Sequence, residues 1–279
     1  MIECVINISE GRSSDTLGTY EAAGGHSLRD VHSDEWHHRS VFTLVDQPHE
    51  LIGNLRNLIR CVLDHGDLRD HDGVHPRYGL IDVVPFVALD PALVPVAVAL
   101  RDETAQWLAH ECGVGVFVYG DDLPGAPTLP QLRARLRGKE SPDFGPLSPD
   151  PRWGFSAVGQ RPVMLAWNIW LRGVSMADTQ GIVASLRSTS VRSMAFAVGE
   201  FTQVSCNLID PAACGPSQVF QQVRELLPPG GSMLRSELVG LTPQFVLDNT
   251  DPAEWAALDL ATSTTIESRL STSDRAAEL

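Results

Sequence analysis

The stretch that organises this sequence is Asp67-Leu-Arg-Asp-His-Asp-Gly-Val-His-Pro-Arg-Tyr-Gly79, which leads directly into the apolar run Leu80-Ile-Asp-Val-Val-Pro-Phe-Val-Ala-Leu89. Its thirteen residues include two histidines, two arginines, three aspartates and two glycines. Pro76 favours an extended backbone at His75, and the glycines permit tight turns. The pattern predicts a stiff polar loop that holds an imidazole in front of a buried strand. The simpler interpretation is a solvated connector with histidines in it by chance.

Working outward from this loop, the first half of the chain predicts the order β-α-β-β-α-β. The predicted elements are a strand at 2–8, a weak helix at 13–23, strands at 26–32 and 39–45, a helix from Pro48 to Gly66 and a strand at 80–89. A further helix at 92–111 and a strand at 114–119 extend this unit. Residues 121–158 contain seven prolines and predict only one short helix, at 129–138.

The same order of elements recurs in the second half of the chain. Its predicted elements are strands at 163–171, 191–198, 202–209 and 232–239, with helices at 176–188 and 216–227. A helical segment follows from Thr242, and the last dozen residues are predicted to form a polar tail. The fold class is therefore predicted to be α+β, with two ferredoxin-like β-α-β-β-α-β units.

Composition excludes several classes of protein. The net charge of −14 over 279 residues argues against a general affinity for nucleic acid, which requires a basic face. It also means that an anionic ligand needs locally placed arginines. No segment has the length and apolarity of a membrane span, and the N-terminus does not resemble a signal peptide. Five scattered cysteines without CxxC spacing predict buried free thiols, so we expect a cytoplasmic protein.

The histidines are concentrated near the organising loop. Eight of the nine lie between residues 26 and 75. In a ferredoxin-like unit the turn 33–38 and the loop 67–79 can lie at one end of the same sheet, which would bring several imidazoles together. A metal site is a rival interpretation, but Gly73 and Pro76 disfavour a helix that would align His71 with His75. The apolar surroundings of the cysteines disfavour a Cys–His nucleophile pair.

Seven ordered segments resemble one known family, the formiminotransferases. Gly73-Val-His-Pro-Arg-Tyr-Gly-Leu-Ile-Asp-Val-Val-Pro-Phe86 is similar to its signature G-E-H-P-R-M/I-G-A-x-D-V-x-P-F. Val5-Ile-Asn-Ile-Ser-Glu-Gly-Arg12 resembles V-P-N-F-S-E-G-R, and Asp34-Glu-Trp-His-His-Arg-Ser-Val41 resembles D-x-x-H-N-R-S-V. The other four segments are Pro142–Pro146, Leu165–Ile169, Gln203–Leu208 and Ser236–Pro243.

The resemblance implies an architecture and a reaction. Two ferredoxin-like subdomains, here 1–159 and 160–279, would face each other across a ligand tunnel, in a protein that is usually a homodimer. The family enzymes, glutamate formimidoyltransferases and the formiminotransferase half of formiminotransferase–cyclodeaminase, move a formimino group from N-formiminoglutamate to tetrahydrofolate. N5 of tetrahydrofolate, which is a co-substrate, attacks the amidine carbon, and the glutamate amine leaves. No metal is required, and the expected partners are small molecules.

The resemblance also assigns site residues. It places the catalytic histidine at His75, where an imidazole that titrates near neutrality can accept and return the proton. Both substrates carry carboxylates, for which arginines are the natural partners. The residues that it implies for binding folate or the second substrate are Arg12, His37, His38, Arg39, Arg77, Tyr78, Gly79, Arg161, Asn168 and Asn207.

Several positions at this implied site depart from the family pattern. Val74 stands where the family has Glu, Tyr78 where it has Met or Ile, and His38 and Trp170 where it has Asn. Replacing a carboxylate with valine and an amide with imidazole changes charge and hydrogen bonding around a substrate. Three interpretations follow: a glutamate formiminotransferase, a member acting on a different formimino or formyl amine carrier, and a folate-binding paralogue with little activity.

Overall fold

The chain divides into two compact units, Met1–Pro162 and Val163–Leu279. This division comes from a computed structural model that describes residues 1–69, 71–125 and 127–277. Each unit has its own sheet and its own apolar core. The predicted boundary between Gly159 and Gln160 falls just before the end of a strand, and the two units divide after Pro162.

The first unit contains one six-stranded sheet, and helices pack against it. Its elements are β1 (Ile2–Ile8), α1 (Ser14–Ala23), β2 (Leu28–Asp34), β3 (Arg39–Asp46), α2 (Pro48–His65), β4 (Ile81–Ala88), α3 (Val94–Glu111), β5 (Gly115–Tyr119), α4 (Leu129–Arg137) and β6 (Phe155–Gln160). The strand order across the sheet is β2-β3-β1-β4-β6-β5. The first four strands pair antiparallel in the ferredoxin-like order, and β6 and β5 extend the sheet by parallel pairing.

Both faces of the first sheet are packed. One face forms the main core together with the helices; α2, for example, buries Leu51, Leu55, Leu58 and Val62 at helical spacing. The opposite face carries a smaller cluster beneath α4, in which Tyr78 packs with Phe117 and Leu132 among other side chains. The segment that precedes β4 is therefore fixed from the second face by α4.

The second unit repeats the topology. Its elements are β7 (Leu165–Arg172), α5 (Met176–Leu186), β8 (Val191–Val198), β9 (Phe201–Leu208), α6 (Pro216–Glu225), β10 (Ser232–Val239), α7 (Gln244–Asp248) and α8 (Ile266–Ala277). The sheet order β10-β7-β9-β8 is antiparallel throughout. Alternate side chains of β7, including Trp167 and Ile169, enter a core closed by α5 and α6.

The predicted α+β class with two ferredoxin-like units is confirmed, and two local predictions are wrong. The proline-rich segment 121–158 was predicted to hold only one helix, but β6 begins within it at Phe155. Its sequence, Phe-Ser-Ala-Val-Gly-Gln, is a weak strand pattern that becomes a strand because it pairs between β4 and β5. The predicted polar tail is helical from Ile266 to Ala277. Across the described ranges, no helix combines the length and apolar character needed to cross a membrane.

Candidate active site of the first unit

Three loops meet where strands β1, β3 and β4 begin or end, at one end of the first sheet. Ile8, at the end of β1, lies opposite Ser40 at the start of β3 and opposite Ile81 at the start of β4. The segment after β1, the turn before β3 and the organising loop before β4 therefore emerge side by side. These are the three N-terminal segments that carry the family-like motifs.

Two glycines explain how closely these loops approach. A Cβ atom on Gly73 would lie 2.1 Å from the carbonyl oxygen of His37. A Cβ atom on Gly11 would lie 2.4 Å from the carbonyl oxygen of Asp34 and 2.5 Å from the backbone nitrogen of Arg39. Any side chain at either position would push the loops apart, so both glycines are required for contact.

His75 is held in a single tautomer. Its Nδ1 lies 2.8 Å from the carbonyl oxygen of Pro76, and a carbonyl can only accept, so Nδ1 carries the proton. In the neutral ring Nε2 is then the nitrogen with the lone pair. The His37 ring packs beside it, with 5.5 Å between the ring centroids and an interplanar angle of 49°. His75 thus presents a basic nitrogen in a fixed orientation.

The surroundings keep the His75 imidazole neutral. Burial lowers its pKa well below the usual value for histidine, and the positive charges of Arg39 and Arg133 lower the pKa further. The backbone carbonyl of Pro76 opposes this shift only in part. At neutral pH the ring is therefore available as a proton acceptor.

His71 links the organising loop to the turn before β3. Its ring stacks on that of His38, with centroids 4.1 Å apart and an interplanar angle of 12°. Nδ1 of His71 accepts the Gly73 N–H at 3.2 Å, and Nε2–H donates to the carbonyl oxygen of His38 at 2.6 Å. Burial lowers the pKa of His71. With both nitrogens used in this way, His71 fixes the backbone that carries His75.

His38 occupies an unusual backbone position. Its φ is +48°, a left-handed conformation that asparagine and histidine adopt more readily than most residues. This accounts for an asparagine in the family pattern and for its replacement by histidine here. Nε2 of His38 lies 3.4 Å from a Glu10 carboxylate oxygen, and Nδ1 lies 3.7 Å from one of Asp72. Burial raises the pKa of Glu10, but the backbone N–H groups of Arg12 and Ser13 lower it by a larger amount. The net shift of the Glu10 pKa is therefore downward.

Arg39 is anchored by groups that sequence reasoning did not single out. Its guanidinium pairs with Asp82 and donates to the Asn7 side-chain oxygen at 3.1 Å. Asp82 is completely buried, and it also accepts the backbone N–H of Tyr78. The signal was visible in the sequence, because Asp82 is a lone carboxylate in an otherwise apolar strand, where a buried charge needs a partner.

The guanidinium groups of Arg77 and Arg12 also bind groups of the protein itself. The Arg77 guanidinium folds back on its own loop and donates to the carbonyl oxygens of His71, Gly73 and His75. Arg12 donates to the Glu35 carbonyl oxygen at 2.9 Å and to Asp72 at 2.5 Å. Both side chains hold the loops in place in this structure.

Tyr78 and Gly79 have structural surroundings. The Tyr78 hydroxyl donates to the Leu129 carbonyl oxygen at the start of α4, and burial raises its pKa. The Tyr78 hydroxyl is therefore bound to the first turn of α4. A Cβ atom on Gly79 would lie 2.2 Å from the carbonyl oxygens of Trp153 and Phe155. Gly79 allows β6 to approach β4.

Arg161 does not join the histidine cluster. Its backbone N–H donates to Phe86, near the far end of β4, and its guanidinium donates to the Pro162 carbonyl oxygen. Phe86 is five residues from Ile81, or about 16 Å along a strand. Arg161 therefore lies apart from the loops that carry Arg39 and His75, and its expected contact with folate or the second substrate stays a prediction.

The two predicted asparagines belong to the second unit. The Asn168 side-chain amide donates to Glu237 at 3.2 Å, and the Trp170 indole N–H donates to the same carboxylate oxygen at 2.9 Å. Trp170 thus satisfies a buried carboxylate where the family pattern has an amide. Asn207 lies on β9, opposite Ala166 and Arg192.

Val74 lies exposed at the rim of the loop cluster. Val74 is 44% exposed, and Trp36 is 41% exposed. The backbone N–H of Val74 donates to the carbonyl oxygen of Trp36. Each residue immediately precedes one of the paired imidazoles, His75 and His37. An apolar rim stands where the family pattern has a carboxylate.

The rival chemistries find little support in the described part of the chain. There, no group of three or more His, Cys, Asp or Glu side chains is arranged to hold a metal ion. The five cysteines are unpaired, but Cys61, Cys112 and Cys214 are only partly buried, so the prediction of uniformly buried thiols is corrected. Burial raises the pKa of Cys206 to about 12 and also raises that of Cys4, which disfavours a thiolate.

Comparison with known proteins matches this arrangement to one family. Residues 1–161 match the family described as formiminotransferase domain, N-terminal subdomain. Formimidoyltransferase-cyclodeaminase of Sus scrofa is 32% identical over 87% of this chain, which spans half of that relative's length. The glutamate formimidoyltransferases of Streptococcus pyogenes serotype M1 and Thermoplasma acidophilum are 28% and 29% identical, over 91% and 88% of this chain and 92% and 89% of their own.

Proposed function

Because the chain belongs to the formiminotransferase family, we propose that it transfers a formimino group from N-formiminoglutamate to N5 of tetrahydrofolate, with His75 as the general base. Tetrahydrofolate supplies the nucleophilic nitrogen and accepts the one-carbon group. The proposal includes the other properties that the family leads us to expect. The protein would be a cytoplasmic homodimer that binds small molecules and requires no metal. The relatives that share nearly the whole chain are named glutamate formimidoyltransferases.

The observation that carries the proposal is the fixed tautomer of His75. In this reaction N5 must lose a proton and the departing glutamate nitrogen must gain one. A neutral imidazole with Nδ1–H bound to the Pro76 carbonyl offers Nε2 to accept the first proton and to donate it in the second step. Because the proton is returned within one cycle, the charge and atom count of the enzyme are restored.

The loops contribute positioning. Arg77 ties three carbonyl oxygens of the catalytic loop together, and His71 ties the loop to the turn before β3. An imidazole held in this way loses little orientational freedom when the reactants meet, which favours reaction between two bound substrates.

The direct test is a transfer assay with the purified protein. Tetrahydrofolate and N-formiminoglutamate are supplied together, and formation of 5-formiminotetrahydrofolate is followed by absorbance, with glutamate release as an independent measure. We expect equal amounts of both products. Release of neither product, by a protein that is folded and binds folinate, would contradict the proposal.

A second candidate is a family member that uses a different formimino amine. The exposed Val74 and Trp36 side chains favour it, because an apolar rim suits an amine with an apolar side chain better than one with a second carboxylate. Formimino derivatives of other amines, tested in the same assay, distinguish the two. A higher kcat/KM with another amine than with N-formiminoglutamate would select the second candidate.

A further inference from the structure

The arginines that the sequence places at the site are already bound to the protein. Arg39 is paired with the buried Asp82, Arg12 with Asp72, and Arg77 with the carbonyl oxygens of its own loop. A substrate carboxylate would have to displace these partners before it could bind. These three side chains are better placed to hold the loops than to receive an anion.

Arg133, on α4, has a different environment. Its guanidinium carbon lies 5.1 Å from the centroid of the Tyr78 ring, within the range of a cation–π contact. Its Nε is buried and has no hydrogen-bond partner among the described residues. No ion pair joins Arg133 to an acidic side chain in that part of the chain.

Arg135, on the same helix, shows that this is not a general property of α4. Arg135 lies over the Phe117 ring at 5.0 Å, but it also pairs with Asp143 at 2.9 Å and with Glu140 at 3.4 Å. Arg133 is half-buried and has no such partner among the described residues. Its buried N–H carries a desolvation cost that a bound anion would remove.

The position of Arg133 relates it to the base. The ring beneath it, Tyr78, is three residues from His75, and the Tyr78 N–H is held by the same Asp82 that pairs with Arg39. The Arg133 charge also acts on His75, since it contributes to the lowered pKa of that imidazole. Arg133 therefore lies within electrostatic reach of the place where the proposed reaction occurs.

We infer that Arg133 binds the carboxylate of the amino-acid substrate whose nitrogen reacts beside His75. This inference rests on the proposed function. The α-carboxylate of an amino acid lies two bonds from its nitrogen, so it must lie near the base whenever that nitrogen does. The glutamate carboxylates of a folate are separated from N5 by the aminobenzoyl group. An arginine near the base therefore suits the amino acid better than the folate tail.

The experiment compares Arg133→Gln and Arg133→Lys with Arg137→Gln. Arg137 is exposed, one helical turn beyond Arg133, so its substitution removes the same charge from a side chain that faces solvent. Calorimetry measures the affinity for L-glutamate, the proposed product, and for folinate. The transfer assay gives kcat and KM for N-formiminoglutamate, and thermal melting shows whether each variant is folded.

We expect Arg133→Gln to weaken glutamate binding by about 10- to 100-fold, the usual effect of losing a charged hydrogen bond. KM for the donor should rise similarly, with kcat and folinate affinity little changed. Arg133→Lys should recover part of the loss because it keeps the charge but not the planar fork. Arg137→Gln should match the wild type.

The outcomes separate this inference from the function on which it rests. Unchanged glutamate affinity in Arg133→Gln would overturn the inference. So would a variant whose only change is a lower melting temperature, or one that loses affinity for folinate alone. Normal transfer by the wild type would leave the proposed function standing in those cases. Glutamate binding that depends on Arg133, in a wild type that does not transfer the formimino group, would support the inference and reject the function.

Discussion

At the scale of single residues, the two histidines of the organising loop have different roles. His75 has Nδ1–H fixed by a carbonyl and Nε2 as its basic nitrogen, whereas His71 uses its two nitrogens to bind the backbone of Gly73 and His38. The spacing of the two residues resembles a pair of metal ligands. The hydrogen bonds instead support the proposal that His75 is the base and that His71 positions its loop.

His75→Ala is expected to lower kcat by roughly 10²–10⁴, the usual contribution of acid–base catalysis, with folate affinity nearly intact. His71→Ala should cost less, because the imidazole of His75 is still present and only the hydrogen bonds that position its loop are lost. Both variants are measured in the transfer assay and by folinate titration. Equal losses at the two positions would contradict this division of roles and favour a shared site.

The wild-type pH profile provides a check on the same base. Because burial lowers the His75 pKa below 6.5, the neutral form dominates at pH 7 and the proton is taken up only at lower pH. We expect kcat/KM to be constant near neutrality and to fall on acidification through a pKa below 6.5. A fall centred above that value would mean that another group limits the reaction.

The departures from the family pattern at Val74 and His38 permit a test of the donor. The exposed Val74 offers no carboxylate to an amidine nitrogen, an interaction worth roughly 1.5–3 kcal/mol when charge is involved. We therefore expect weak activity with N-formiminoglutamate and improved activity in the double variant Val74→Glu with His38→Asn. The assay uses tetrahydrofolate as acceptor for both proteins. Wild-type activity equal to that of the double variant would show that these positions do not select the donor.

At the scale of elements, the loop before β4 is held by contacts from several directions. Arg77 closes it on itself, Asp82 on β4 accepts the Tyr78 N–H, and α4 accepts the Tyr78 hydroxyl through the Leu129 carbonyl. A loop built in this way depends on main-chain acceptors, which a guanidinium can bridge and an ammonium cannot bridge with the same geometry.

Arg77→Lys is therefore expected to act through kcat. The ammonium group cannot span the three carbonyl oxygens, so we expect the loop to lose order and kcat to fall by about tenfold, as when a catalytic group is misplaced. Hydrogen exchange of the loop amides, together with kcat and KM, measures this. Tyr78→Phe is the control, because it loses one hydrogen bond worth about 1 kcal/mol of stability but no catalytic group. A large rise in KM for Arg77→Lys, with unchanged exchange, would instead make Arg77 a substrate ligand.

At the scale of the whole molecule, the chain is acidic, and the proposed substrates also carry carboxylates. The net charge of −14 makes long-range attraction of carboxylates unfavourable, so affinity must come from local contacts. The relatives that this chain matches over nearly their whole length are named glutamate formimidoyltransferases, whereas the chain spans about half of the formimidoyltransferase-cyclodeaminase of Sus scrofa.

We expect folinate to bind without any metal. Calorimetry with and without a chelator should give the same affinity, since in the described part of the chain no group of three or more His, Cys, Asp or Glu side chains could hold a metal ion. Failure to bind folinate, or binding abolished by the chelator and restored by a divalent cation, would contradict this expectation.

The sequence by itself determined the class of the fold and singled out His75 as the candidate base. Periodic apolar runs and turn residues are local signals, so they predicted β-α-β-β-α-β twice, and the His-Pro dipeptide between two glycines drew attention to His75. The tertiary structure alone decided which arginines are occupied. Arg39 on β3 meets Asp82 on β4 across the intervening strand β1, and Arg133 on α4 has no carboxylate partner among the described residues. Such partnerships join residues far apart in the chain, and the free energy of a buried charge depends on its neighbours in space, which no local pattern records.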